Sequence, residues 1–264
     1  MPTTSISRCG GSSGGTFPAL VFTIGTAGTL RAYWRFNETS GLFHDTSGYE
    51  PGTPADLIVH SNGSDNRGVA GCLAPAQDDG AWQLNVTGST VNPGSYAVVD
   101  GSANPFVGTQ SALTVVSWVR PFASAGSFRG AFFNNSGIIA GSPSYERGWD
   151  FEFVWPGGGN PNLRFVRSND VPFGGQVYAE IAGVTPAVSY MASATFDGAT
   201  IEIGLNGSTF ASQADTVRGI PENNGGIFGE SVSAYYYGVV DDTAMWAEKL
   251  THAKLLQLYQ AGAA

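Results

Sequence analysis

The sequence predicts an all-β fold, an antiparallel sandwich built from many short strands and tight turns. Only 12% of the 264 residues are charged, about half the usual share, whereas long surface helices draw on many Glu, Lys and Arg residues. Glycine is frequent, with 37 residues. The dipeptides Asp197-Gly198 and Asn206-Gly207 tolerate the positive φ angles that tight hairpins require. These observations disfavour a helical bundle, a coiled coil and a doubly wound α/β fold.

The charge of the chain limits its partners. The net charge is −9 and the isoelectric point is near 4.6, which excludes nucleic acid and anionic lipid as the main ligands. No long apolar run is present, so the sequence predicts no membrane span. The first residues, Met1 to Arg8, lack the pattern of a secretory signal, and we therefore expect synthesis in the cytoplasm. A neutral glycan or another protein is the remaining class of partner.

Two regions are expected along the chain: an extended N-terminal arm over residues 1–28 and a sandwich domain over residues 29–264. The arm begins with a glycine- and serine-rich stretch that is typical of a flexible linker. It continues into a β-prone apolar run from Phe17 to Phe22. Such an arm becomes ordered only when the body of the chain or a neighbouring subunit holds it. We expect Phe17 and Phe22 to make assembly contacts in a homo-oligomer.

The few cysteines and histidines limit metal and redox chemistry. Cys9 and Cys72 are the only cysteines, and the sequence leaves open whether they form a disulfide or remain thiols. A thiolate zinc site needs more ligands. The histidines, His44, His60 and His252, do not have the spacing of a zinc motif.

Alternating apolar residues mark the strands. Residues 30–36 alternate between an apolar and a polar face, and residues 148–155 carry four aromatic side chains in one row. Residues 113–119 are apolar on both faces, as in a central strand that is covered on both sides. The end of the chain predicts one short helix over residues 252–259, which Gly262 would end.

Several segments occur in the order and spacing of a known fold family. They are Tyr33-Trp34-Arg35-Phe36-Asn37-Glu38-Thr39-Ser40-Gly41, Asp45-Thr46-Ser47-Gly48, residues 113–121, Ala194-Thr195-Phe196-Asp197-Gly198, Leu205-Asn206-Gly207 and residues 238–246. Together they resemble the LamG-like jelly roll of the concanavalin A-like lectin/glucanase superfamily. The resemblance spans about residues 29–262 and implies a jelly-roll β-sandwich. It departs from the family at Ser189-Tyr190, where a Trp-His pair is usual, and at the inserted Asp78-Asp79-Gly80 loop.

Asp150 and Glu152 are the candidate catalytic carboxylates. Residues two apart on a strand share a face, and glycosidases use paired carboxyl groups. The glucanase branch of the superfamily carries an E-x-D-x-x-E pattern, but here Gly148 replaces the first Glu and Trp155 replaces the last. The pattern is incomplete, and we expect no catalytic residue. The G-x-S-x-G match at residues 10–14 lacks the flanking strand and helix of a nucleophile elbow.

The resemblance also implies a structural calcium site. In the superfamily, an Asp on a late strand commonly joins a calcium ion to oxygens near the first loops. The corresponding residue is Asp241, with Asp45 and its turn on the other side. Calcium prefers carboxylate and carbonyl oxygens; the alternative is that Asp241 accepts backbone N–H bonds. Because neighbouring residues of a strand point to opposite faces, we expect the side chains of Asp241 and Asp242 to diverge.

Aromatic residues near predicted loops are the candidate sugar-binding residues. They are Trp155, Trp82 and Tyr236, with Asn160 as a hydrogen-bonding neighbour. Ligand sites combine aromatic surfaces with a few polar groups. The alternative is that these rings belong to the core, as most aromatic side chains in a sandwich do.

These features predict a non-enzymatic protein on the surface of a virion, either a capsid decoration or a tail-associated protein. The expectation rests on the resemblance, because LamG-like and lectin-like domains are frequent on phage heads and tails, and virions assemble in the host cytoplasm. The arm would bind other virion proteins, and the jelly roll would bind subunits or a host-cell glycan. The alternatives are a carbohydrate-binding module of a bacterial secreted or surface protein, located outside the cell, and a divergent glycoside hydrolase.

Overall fold

The computed structural model describes residues 15–49, 54–60, 66–84, 96–99, 111–124, 126–134, 137–139, 145–157, 159–168, 176–216, 227–228, 230–231 and 234–264. Within these ranges the helices are α1 (Phe17–Ile24) and α2 (His252–Ala263). The strands up to residue 140 are β1 (Leu30–Trp34), β2 (Leu57–His60), β3 (Asn66–Val69), β4 (Ala81–Leu84), β5 (Tyr96–Val99), β6 (Leu113–Pro121), β7 (Ser127–Asn134) and β8 (Gly137–Ile139). The later strands are β9 (Tyr145–Pro156), β10 (Asn162–Ser168), β11 (Gln176–Ile181), β12 (Tyr190–Phe196), β13 (Thr200–Leu205), β14 (Thr209–Ala214), β15 (Ile227–Phe228), β16 (Glu230–Ser231), β17 (Ala234–Tyr235) and β18 (Gly238–Trp246).

One sheet, which we call sheet I, has the strand order β14-β13-β12-β6-β18-β4-β3, and neighbours along it are antiparallel. The β12-β13 and β13-β14 hairpins turn at Asp197-Gly198 and Asn206-Gly207, as the sequence predicts. Strand β18 changes partner along its length: residues 238–240 pair with β4, and residues 243–246 pair with β1. A bulge at Asp242 separates these two halves.

The other sheet, sheet II, has the order β11-β10-β9-β7-β15-β5-β2. Neighbours along it are antiparallel; β8 adds to β9, and β17 pairs in parallel with β7. The aromatic row of β9, predicted from its alternation, faces sheet I. It consists of Trp149, Phe151, Phe153 and Trp155, all of them buried.

The two sheets enclose an apolar core that is rich in aromatic rings. Trp34 of sheet I meets Phe133 of sheet II edge to face, with ring centroids 5.7 Å apart, a favoured arrangement for aromatic pairs. The central strand β6 is buried over eight of its nine residues, as expected for a strand covered on both sides. The predicted all-β, antiparallel sandwich with a short C-terminal helix is confirmed.

A second apolar cluster lies on the opposite face of sheet I, beneath the two helices. There α1 buries Phe17, Val21 and Ile24, and the Phe17 ring meets Trp118 of β6 edge to face at 5.9 Å. The prediction of an extended run here is wrong, because these three residues recur at helical spacing and share the face that packs on the sheet. Residues 1–14, the glycine-rich part of the predicted arm, lie outside the described residues. The molecule is therefore layered: helices, sheet I, sheet II.

Helix α2 begins as predicted but continues further. The Thr251 side chain accepts a hydrogen bond from the Lys254 N–H and caps the helix. Gly262 lies inside the helix, so the prediction that it ends the helix is wrong. A Cβ atom at Gly262 would collide with the Trp118 ring, and glycine is used there for close packing. Neither helix in the described part of the chain is long and apolar enough to cross a membrane.

Candidate functional site

The predicted sugar-binding aromatics belong to the core. Trp155, Trp82 and Tyr236 have no exposed surface. The Trp155 Nε1–H donates to the Phe122 carbonyl at 2.9 Å. The Tyr236 hydroxyl donates to the backbone oxygen of Val239 in β18 at 3.2 Å. The prediction that they contact a ligand is wrong, because each points between the sheets.

Asn160 is the one predicted sugar-binding residue at the surface. It is exposed in the turn between β9 and β10, and its amide donates weakly to the Gly183 carbonyl at 3.4 Å. This turn lies next to strands β10 and β11, whose outward faces carry Arg164 and Tyr178.

On the outward face of sheet II, Tyr178 of β11 is a large exposed hydrophobic ring. The exposed His60 ring of β2, by contrast, stacks on Tyr96. On β11, Val177 and Ala179 point into the core while Tyr178 and Glu180 point outward. Tyr178 is 49% exposed. The guanidinium carbon of Arg164, on the adjacent strand β10, lies 4.5 Å from the centre of the Tyr178 ring, within the range of a cation–π contact. One face of the ring is therefore supported, and the residue's exposure leaves the other open to solvent.

Arg164 lies between two carboxylates. In the strand register it stands opposite Glu152 of β9 on one side and Glu180 of β11 on the other. Its Nε forms an ion pair with Glu180, and both side chains are about one-quarter exposed, at 26% each. The outward face thus presents a supported aromatic ring beside an internally paired cation.

The candidate catalytic carboxylates lie on the same outward face of sheet II but are not accessible. Asp150 and Glu152 alternate with the inward aromatic row of β9, as predicted, yet they are only 4% and 1% exposed. A general acid or nucleophile must come within hydrogen-bond reach of its substrate. These two carboxylates cannot do so in this structure.

Asp45 is saturated with hydrogen bonds. Its Oδ1 accepts from the N–H groups of Tyr33 and Ser47, at 2.9 and 2.8 Å. Its Oδ2 accepts from the Ser47 hydroxyl at 3.0 Å and the Ala55 N–H at 3.2 Å. Asp45 therefore organises the loop after β1, and no described hydrogen bond joins this turn to Asp241.

Asp241 and Asp242 form a buried carboxylate pair at the bulge of β18. They are 1% and 0% exposed. Asp241 Oδ2 accepts from the Cys72 N–H at 2.8 Å, and Asp242 Oδ1 accepts from the Tyr33 hydroxyl. Asp241 Oδ1 and Asp242 Oδ2 accept no hydrogen bond from any other described residue. The prediction that the two side chains diverge is wrong, because Asp242 has a φ of 30° and the bulge turns both to the helical side of sheet I.

Burial shifts the proton affinity of this pair. Desolvation raises the pKa of Asp241 to about 7, against the lowering effect of the Cys72 N–H bond. Desolvation and the charge of Asp241 hold the pKa of Asp242 well above its usual range. When Asp242 is protonated, its carboxyl group donates a hydrogen bond to Asp241. This bond raises the pKa of Asp242 and lowers the pKa of Asp241. The structure therefore favours one shared proton on the pair near neutral pH.

The predicted calcium site depends on whether the oxygens of Asp45 and Asp241 are free to bind a metal ion. Asp45 does not fit as a ligand, since its oxygens already accept four hydrogen bonds. In the described part of the chain, no group of three or more His, Cys, Asp or Glu residues is arranged to hold a metal. The pair does offer two oxygens, Asp241 Oδ1 and Asp242 Oδ2, that accept no hydrogen bond from another described residue. Calcium at Asp241 remains a prediction, which chelation can test.

The predicted assembly residues contact the chain's own body. Phe17 is fully buried, and its N–H donates to the Gln77 side chain at 2.7 Å. Phe22 is 50% exposed, and its ring meets Tyr33 edge to face at 5.7 Å. At the other end of α1, the Glu248 carboxylate accepts hydrogen bonds from Thr26 and Thr29. This segment thus packs on the sandwich, and its Phe22 contacts Tyr33, the residue that donates to Asp242.

Cys72 is buried and forms no disulfide within the described residues. Desolvation and the nearby Asp241 carboxylate raise its pKa, so it is a poor nucleophile at neutral pH. Cys9 lies outside the described residues, and the question of a disulfide stays open.

The comparisons with known proteins identify the fold. No protein-family model matches the chain, and no curated protein matches its sequence. Among solved structures, it is similar to the receptor-binding domain of botulinum neurotoxin D, with 12% identity, a TM-score of 0.60, and coverage of 88% of this chain and 52% of that one. The binding domain of Paraclostridial Mosquitocidal Protein 1 gives 15% identity, a TM-score of 0.60 and the same coverages.

A third similar structure matches over nearly its whole length. It is domain 4 of AbnA, an extracellular GH43 arabinanase from Geobacillus stearothermophilus, in complex with arabinotriose, with 17% identity and a TM-score of 0.57. The match covers 88% of this chain and 98% of that domain. By contrast, this chain spans about half the length of the toxin domains it matches. At these identities the similarity establishes the fold alone.

Proposed function

We propose that this protein is a non-enzymatic glycan-binding module, and that its binding surface is the outward face of β10 and β11. The observation that carries the proposal is Tyr178, a half-exposed ring packed on one face against Arg164 and open on the other. Flat apolar ring surface next to hydrogen-bonding groups is what a sugar ring requires, since sugars present C–H groups on their faces and hydroxyls at their edges. A sugar-bound structure of the same fold, the AbnA domain with arabinotriose, supports the ligand class.

The layered architecture supports display of this surface. The N-terminal end of α1 and the C-terminal end of α2 lie together, because the Gln77 side chain bonds both the Phe17 N–H and the Ala261 carbonyl. Both ends are in the helical layer, on the far side of sheet I from Tyr178. A carrier attached at these ends would leave the outward face of sheet II free.

The burial of Asp150 and Glu152 supports a binding role without hydrolysis. We expect no release of reducing sugar from β-glucans or arabinans. Turnover that disappears in Glu152→Gln would instead establish the glycoside hydrolase alternative.

We further propose a virion surface as the setting of this module, with the part of the N-terminal arm that precedes α1 attaching it to other virion proteins. The support is the resemblance to LamG-like domains, which are frequent on phage particles. The test is co-sedimentation of the protein with purified particles, and its loss when residues 1–14 are deleted. Absence from particles would favour the alternative, an extracellular carbohydrate-binding module.

A glycan array tests the binding proposal directly. We expect the wild type to bind a defined set of oligosaccharides, and Tyr178→Ala to lose at least tenfold in affinity, which corresponds to about 1.4 kcal/mol. Val188→Ala is a matched control, since Val188 is also an exposed apolar residue, 43% exposed, but lies outside β10 and β11. Glycan binding that Tyr178→Ala leaves unchanged would refute the proposed surface.

A further inference from the structure

We infer that the sugar recognised at Tyr178 is uncharged, and that Glu180 is the residue that excludes acidic sugars. This inference rests on the proposed glycan-binding surface and specifies the ligand class of that same site. It is carried by the charge arrangement around the ring.

The only described cation that supports the ring is already paired. Arg164 packs against Tyr178, and its Nε is bound by the Glu180 carboxylate. The register of β9, β10 and β11 places Glu152 directly opposite Arg164 on its other side. The cation beside the ring is thus neutralised by Glu180, on a chain whose net charge is −9.

An acidic sugar would therefore meet an unfavourable field. To bind the Arg164 Nε, the carboxylate of the sugar would have to displace the Glu180 carboxylate. The displaced Glu180 would then lie next to the anionic sugar without its ion-pair partner. To bind without displacing it, the sugar would bring like charges together, and such juxtaposition is a known device for rejecting ligands. Both routes weaken binding.

An uncharged sugar meets no such obstacle. Its ring can stack on the open face of Tyr178, and its hydroxyls can donate to the Glu180 carboxylate, which is about one-quarter exposed. The Arg164–Glu180 pair then stays intact and holds the ring and the acceptor in place before the ligand arrives. Such preorganisation favours binding because little has to be ordered.

The test uses the full-length protein and an array of paired oligosaccharides, each neutral glycan beside the same glycan carrying one sialic or uronic acid. We expect the wild type to prefer the neutral members by at least tenfold. Glu180→Gln removes the competing carboxylate and leaves Arg164 available, so the preference should fall to within about threefold. Glu38→Gln makes the same change in net charge on a loop after β1 and should keep the wild-type preference.

The outcomes separate the two proposals. A wild type that binds acidic members equally or better, with binding still lost in Tyr178→Ala, overturns the inference and leaves the glycan-binding surface standing. Neutral preference that Glu180→Gln does not change overturns the role of Glu180. Absence of binding to any glycan on the array contradicts both the proposed function and this inference.

Discussion

Replacing Asp242 by asparagine should stabilise the protein at alkaline pH, although the residue is fully buried. In the wild type, two adjacent carboxylates share the bulge of β18, and one oxygen of each accepts no hydrogen bond from any other described residue. The amide introduced by Asp242→Asn can still accept from the Tyr33 hydroxyl. It can also donate to Asp241, as the shared proton does in the wild type, but at every pH.

The magnitude follows from the pKa of Asp241. Its value of about 7 in the folded protein lies roughly 3 units above the reference of 3.8, and each unit corresponds to about 1.4 kcal/mol. A group whose folded pKa is raised contributes stability below its unfolded pKa and loses it as pH rises through the folded pKa. The wild type should therefore lose on the order of 2–4 kcal/mol between about pH 4 and pH 8 from Asp241 alone. Asp242 adds a further loss as pH rises, because desolvation and the charge of Asp241 hold its pKa well above the usual range. Asp242→Asn should remove the contribution of Asp242 and leave that of Asp241, whose pKa is raised mainly by desolvation.

The assay is urea unfolding of both proteins at about pH 5 and about pH 8, in EDTA and at matched ionic strength. The variant should be more stable than the wild type at the higher pH and equal or slightly less stable at the lower. Asp197→Asn makes the same charge change at an exposed carboxylate, which forms a surface ion pair with Lys249. Surface pairs contribute about 1 kcal/mol or less, so this control should show only a small effect and no gain at high pH.

A calcium ion bound by Asp241 and Asp242 would reverse the expected pH dependence of stability and the expected effect of Asp242→Asn. A bound cation would make wild-type stability rise with pH and fall in EDTA, since a ligand bound only to the native state stabilises it. Asp242→Asn would then weaken the site and destabilise the protein at about pH 8. That combination would refute the shared-proton account and establish the metal site.

Two further predictions concern packing. Val21→Asp should lower the free energy of unfolding by about 3 kcal/mol or more, because it buries an unpaired charge under α1. Ala19→Asp, on the exposed side of the same helix, should change the free energy of unfolding little. Equal effects of the two substitutions in urea unfolding would contradict the docking of α1. Gly71→Ala should lower the free energy of unfolding by about 1–3 kcal/mol, and the melting temperature by several degrees. The reason is that its Cβ would lie within 3.0 Å of the Asp78 and Asp241 carboxylates. Gly159→Ala, with no close neighbour, is the control, and an unchanged melting temperature in Gly71→Ala would show that the cluster can relax.

The sandwich could be predicted because its signals are local. The aromatic row of β9 and the alternation of β13 place their apolar residues in the core, and the two Asx-Gly turns occur where the sequence indicates. Each signal depends only on side-chain period and turn chemistry. The order of the resembling segments added the expectation of a jelly-roll arrangement.

Helix α1 could not be predicted from local preference. An eight-residue segment is too short to be helical alone, and its Phe and Val residues favour strands. It is helical because Phe17, Val21 and Ile24 pack on sheet I. Tertiary contacts decide its conformation, and these are not visible in the segment itself.

The proposed binding surface could not be predicted from the sequence for a different reason. Large aromatic residues near loops were the obvious candidates, yet size favours burial, and Trp155 and Tyr236 fill the core. The informative signal was a ring on the polar side of an alternating strand: Tyr178 lies between Val177 and Ala179, which are buried. Similarly, the convergence of Asp241 and Asp242 depends on the partner change of β18, which no local pattern encodes.

Chemical-shift mapping by NMR tests the central claim most directly. An oligosaccharide that binds on the array would be titrated into ¹⁵N-labelled protein, and the amide shifts followed residue by residue. The account predicts shifts that centre on β10 and β11, with the largest near Tyr178 and Arg164. Shifts confined to the loop around Asp45, or to helices α1 and α2, would contradict it.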